Sequence, residues 1–92
     1  MATTTVDIGT LITRREGVKG GRPIIAGTGT SVLAIVERYE MGQSPKEIQG
    51  QLEVPLEGVF AALAYAAANP VEIAEMFRLE EEAHERIFGR QA

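Results

Sequence analysis

The spacing of hydrophobic residues changes character at Thr30. Before it, apolar residues form two short runs, Leu11-Ile12-Thr13-Arg14 and Pro23-Ile24-Ile25-Ala26, rich in β-branched side chains. Between them lies Arg15-Glu16-Gly17-Val18-Lys19-Gly20-Gly21-Arg22, whose paired glycines are a strong turn signal. Two short strands around a basic loop are expected. After Thr30 the period becomes helical. Val32, Ile35, Val36 and Tyr39 fall at i, i+3, i+4 and i+7, one stripe of an amphipathic helix, with Ser31 as its N-cap and Met41-Gly42 as its end. Ser44-Pro45-Lys46-Glu47 then supplies a capping Ser, a Pro at the first helical position and a Glu at the third. This second helix is expected to run to about Leu52. Pro55 opens a third, Ala-rich helix with Val59, Ala62, Leu63 and Ala66 as its inner stripe. Asn69 as cap, Pro70 at the first position and Glu72 at the third start a fourth helix. Its apolar side is Ile73, Met76, Phe77, Ile87 and Phe88, and its other side is heavily charged.

Two helices joined by a tight turn, Ser44–Leu52 and Pro55–Ala68, have the spacing of a helix-turn-helix pair. The pattern predicts one mainly α domain over residues 1–92. An arm with a short β element covers 1–30, a tri-helical core 31–69, and a C-terminal amphipathic association helix 70–92. With 92 residues, such a chain buries only about 60–65% of the surface it exposes when unfolded, so it leans on close helix packing or on association.

Composition removes several classes of chemistry. Cys is absent and His occurs once, which excludes thiol catalysis, a disulfide framework and a multi-histidine metal site within one chain. No apolar run approaches the ~18–20 residues of a membrane span, and Met1-Ala2-Thr3-Thr4-Thr5 has no signal-peptide character. A soluble cytoplasmic protein is expected.

The net charge of −4 is unevenly placed. Residues 1–30 carry four basic side chains (Arg14, Arg15, Lys19, Arg22) against two acidic ones, and residues 31–92 carry five against eleven. An acidic chain repels nucleic acid at long range, so DNA contact has to come from that basic cluster, with Lys46 as a helper. The third helix is a poor reading head. From Pro55 to Ala68 it has no Arg, Lys, Asn or Gln to reach a base edge, and Glu57 is its one charge.

Gly27-Thr28-Gly29-Thr30-Ser31, ahead of a helix, invites a phosphate-loop reading. No Gly-Lys-Ser/Thr ending follows, and Val32 stands where a G-x-G-x-x-G motif needs its last Gly, so a strand-to-helix hinge is expected. His84 is expected to pair with Glu80 one turn away, and Glu82 with Arg86. No catalytic constellation emerges and no cofactor or metal is expected. The chain reads as a binding protein rather than an enzyme.

Several stretches taken together resemble a known bacterial family. They are Gly20-Gly21-Arg22-Pro23-Ile24-Ile25-Ala26-Gly27-Thr28, Val32, Gly42-Gln43-Ser44-Pro45-Lys46-Glu47-Ile48, Val59 and Ala62-Leu63-Ala64-Tyr65-Ala66. The family is catalogued as domain of unknown function four-three-three, and the resemblance spans roughly Ile12 to Ala68. It implies a homeodomain-like or winged-helix-like DNA-binding fold with a small β element. It also implies an antitoxin role of the VapB type beside a PIN-like ribonuclease toxin. Two positions depart from the family pattern: Gly29 stands where Arg is common, and Pro55 where Ser or Thr caps the third helix.

The apolar side of the fourth helix exceeds what the tri-helical core needs to cover. Ile73, Met76, Phe77, Ile87 and Phe88 are expected to form a partner or homodimer interface, since a two-fold contact lets one patch cover itself. The leading expectation is an antitoxin-like protein that binds a partner and operator DNA. The alternative is a homodimeric interaction module of helix-turn-helix ancestry that leaves nucleic acid alone.

Overall fold

Each break between elements has a local cause that can be named. A computed structural model describes residues 7–89. After a single 3-10 turn, Ile8–Thr10, strand β1 (Ile12–Thr13) pairs antiparallel with β2 (Ile24–Ile25), Ile12 opposite Ile25 and Thr13 opposite Ile24. The loop between them contains a second 3-10 turn, Lys19–Gly21. Gly17, Gly20 and Gly21 all take positive φ there, and Lys19 joins them at 50°. Pro23 stands just before β2, where its missing N–H costs no ladder bond, and its carbonyl accepts from the Val32 N–H at 3.0 Å.

Gly27 at φ 78° turns the chain back on itself. The Thr28 hydroxyl donates to the Ile25 carbonyl and accepts from the Thr30 N–H, and the Ile25 N–H donates to the Thr30 carbonyl. The segment is thus a hydrogen-bonded hinge leading into α1 (Val32–Glu40). Ser31 caps that helix, its hydroxyl accepting from Ala34 N–H. Val32, Leu33, Ile35 and Val36 are buried, whereas Tyr39, on the same stripe, is half exposed.

Met41 and Gly42 (φ 94°) end α1. Helix α2 (Pro45–Leu52) opens with a complete capping box: Ser44 Oγ accepts from Glu47 N–H, and Glu47 Oε1 accepts from Ser44 N–H. The Ser44 N–H donated to its carboxylate contributes most to holding the Glu47 carboxyl below its usual range. Glu53 in a left-handed conformation turns the chain into α3 (Leu56–Ala68). Pro55 is the N-cap of α3 rather than its first helical residue, because its extended ψ of 140° lies outside the helix.

α3 is the centre of the fold and packs against α1, α2 and both strands. Gly58 is the point of closest approach: a Cβ there would lie 2.6 Å from Cγ2 of buried Ile25. The core comprises Ile25, Val32, Ile35, Ile48, Val59 and Ala62 with their neighbours, joined by Ile73 and Met76 from α4 (Pro70–Phe88). Asn69 does not cap α4 as its position predicts. Its amide donates back to the Tyr65 carbonyl at 3.0 Å and so closes the end of α3.

Candidate functional site

Two of the basic side chains expected to grip phosphate are tied down within the chain. Arg14, leaving β1, places Nη2 at 2.8 Å from Glu72 Oε2 and 2.9 Å from the Tyr65 hydroxyl. The Tyr65 hydroxyl in turn donates to Glu72. Burial, together with that bond to the carboxylate, raises the Tyr65 phenol above its ordinary range. Arg22 Nη1 lies 2.8 Å from Glu80 Oε1. These bonds strap the arm to α4 at two points, and neither pair is deeply buried. Arg15, Lys19 and Lys46 have no ion pair among the described residues. The first two belong to the loop between the strands and the third to the first turn of α2.

The second helix of the helix-turn-helix pair spends its side chains on packing. Gly58, Val59, Ala61 and Ala62 of α3 are buried, and the largest side chain it leaves in solvent is Phe60, 54% exposed. Phe60 borders a shallow apolar patch with Ile8, Leu11 and Ala64. The one hydrogen-bonding side chain on that surface is Glu57, an acceptor whose charge phosphates repel.

The expected apolar ridge of α4 is split by the structure. Ile73 and Met76 are buried in the chain's own core and Phe77 packs partly against it, so these three do not form a free interface. The reason is geometric: the first two turns of α4 lie against α1 and α3. From Arg78 to Gly89 only Ala83 is partly covered, and Leu79, Ile87 and Phe88 stand 43%, 65% and 49% exposed.

The charged side differs from its sequence reading as well. His84 stacks on Phe88 with ring centroids 4.8 Å apart, and Glu80 is given over to Arg22. Glu82 pairs with Arg78 rather than Arg86, and Arg78 also holds Glu75, each at 2.6 Å. The Arg78 guanidinium keeps the Glu75 carboxyl below its usual range. Exposed i, i+3 and i, i+4 pairs of this kind brace α4 where it passes from the packed to the exposed half.

One feature has no counterpart in the sequence reading. Between α1 and α4, over Leu63 and Ala66 of α3, runs an apolar groove of about 660 Å³ flanked by Tyr39 and Phe77. Tyr39, on the same stripe as buried Val32, Ile35 and Val36, is left half exposed because it forms one wall of this groove. Among the described residues no group of three His, Asp or Glu side chains is placed to hold a metal ion, and no helix is long and apolar enough to cross a membrane.

Strand, basic loop, strand, and three helices with a tight α2–α3 turn define a small helix-turn-helix-type domain. The chain belongs to the family described as protein of unknown function (DUF433), whose model matches residues 12–66, from β1 through most of α3. A crystal structure of a DUF433 member protein from Anabaena variabilis ATCC 29413 is similar in fold, with a TM-score of 0.67 and 28% identity. That likeness covers 73% of this chain and 67% of the other. No curated protein matches the chain at a significant level. α4 lies beyond the stretch that the family model matches.

Proposed function

We propose that the chain is a small, non-enzymatic, antitoxin-like binding protein of the cytoplasm that acts through the outer half of α4. In this reading two copies associate across Ile87 and Phe88, and the same ridge embraces a partner such as a PIN-like ribonuclease toxin. The observation that carries it is the exposure of those two side chains on a helix whose first half is sealed. Fully burying a side chain of this size contributes about 1.5–3 kcal/mol, so a partner that covers both gains substantially. An amphipathic helix laid into a partner's groove is a common mode of such recognition.

Protein binding is favoured over operator binding by where the guanidinium groups go. Arg14 and Arg22 are paired with Glu72 and Glu80, and α3 presents Phe60 where a groove-reading side chain would be needed. A DNA contact would rest on Arg15, Lys19 and Lys46. Co-expression with the product of the adjacent gene, with a tag on either protein, tests the reading. Co-purification that is lost in Ile87→Asp/Phe88→Asp is expected. Failure of the native pair to co-purify, with no rescue of growth, removes the toxin-neutralising role.

A further inference from the structure

The groove between α1 and α4 is a second surface, distinct from the outer ridge, since neither Ile87 nor Phe88 lines it. Its walls are Tyr39 and Phe77 and its floor is Leu63 and Ala66, so its contact surface is apolar. Its rim is acidic. Glu40 borders the groove, and past Phe77 the crevice continues between Glu37 and Glu81. All three carboxylates are exposed and none makes an ion pair among the described residues.

An apolar trough edged by unpaired carboxylates is complementary to an amphipathic helix with cationic flanks. A second copy of this chain is a poor occupant. The outer half of its α4 carries four carboxylates against one guanidinium between Leu79 and Phe88, and would bring like charge to like. The basic surplus of the chain sits in the arm, whose described part has no α-helix. We propose that the α1–α4 groove binds an amphipathic helix of a different protein, with apolar anchors on one face and Lys or Arg on both flanks.

The test uses the full chain and synthetic helical peptides read by fluorescence anisotropy. One peptide has Leu at i, i+3, i+4 and i+7 with Lys flanks, a second replaces Lys by Glu, and a third scrambles the first so that it keeps its charge but loses its stripe. The Lys-flanked peptide is expected to bind about tenfold or more tighter than either control, and more weakly as salt rises. Ala74→Arg, at an exposed helical position lining the groove, is expected to cut that binding about tenfold. Glu37→Lys/Glu40→Lys/Glu81→Lys should transfer the preference to the Glu-flanked peptide. Ile87→Asp/Phe88→Asp should leave binding unchanged, which separates this groove from the ridge. No binding of the Lys-flanked peptide, equal binding of the scramble, or indifference to both groove variants overturns the proposal.

Discussion

The two halves of α4 are built from similar residues and have opposite relations to the rest of the molecule. In the inner half Ile73 and Met76 are 6% and 7% exposed, packed against α1 and α3. In the outer half Ile87, two heptads on from Ile73, and its neighbour Phe88 remain 65% and 49% exposed. The inner half is held further by Arg14 on Glu72, whereas beyond Glu80 no ion pair among the described residues joins α4 to the body. Periodicity therefore marks which residues share a face, while only the length of the body beneath decides where that face is covered. The same helix is structural at one end and available at the other.

The sharpest way to break this contrast is to truncate both halves alike. Ile73→Ala or Met76→Ala removes a buried side chain and is expected to cost about 2–5 kcal/mol of unfolding free energy, read by chemical denaturation. Ile87→Ala, on the exposed half, is expected to change stability by no more than about 0.5 kcal/mol under conditions where the chain is monomeric. Equal losses at both positions would mean that the outer half is also buried in solution.

Two glycines carry the contrast of packed and open faces into the helix-turn-helix pair. Gly58→Ala drives a Cβ into Ile25, and overpacking of about 1–3 kcal/mol should outweigh the roughly 1 kcal/mol gained in helix propensity. Gly50→Ala in α2 meets nothing within 4 Å and should stabilise by about 0.5–1 kcal/mol. Thermal midpoints that move in opposite directions are the expected signature.

Smaller effects probe the strap between arm and helix. Arg14→Ala should cost about 1 kcal/mol or less, since exposed ion pairs are weak, and part of that cost should vanish at high salt. With Tyr39→Phe, the one remaining phenol, Tyr65, is expected to ionise above its ordinary 10.0, as followed by its ultraviolet absorbance. Because the folded state favours the protonated phenol, that stability is fully present below pH 10 and is lost as pH rises through the elevated folded value. A phenol that titrates at its ordinary value would show that the contact with Glu72 does not persist in solution.

Legibility in the sequence followed the range of each interaction. The Ser44–Glu47 capping box, the Ser31 cap and the Gly42 stop are local, and their residues name them. The two strands were equally readable, because β-branched runs flank a glycine-rich turn. Arg14 with Glu72 and Arg22 with Glu80 are each 58 positions apart, so no local pattern reveals that these cations are spent within the chain. Asn69 had two helix ends within reach, and its amide serves the earlier one. The α1–α4 groove exists only once three helices are packed, which is why Tyr39 reads as core from its spacing.

Sedimentation equilibrium of the native chain beside Ile87→Asp/Phe88→Asp decides whether the outer half of α4 is a docking ridge. The native chain is expected to form a dimer at micromolar concentration, and the variant a monomer whose thermal midpoint matches that of the native chain diluted to monomer. A native chain that stays monomeric, with the amides of the outer half as protected from hydrogen exchange as those around Ile73, would contradict it.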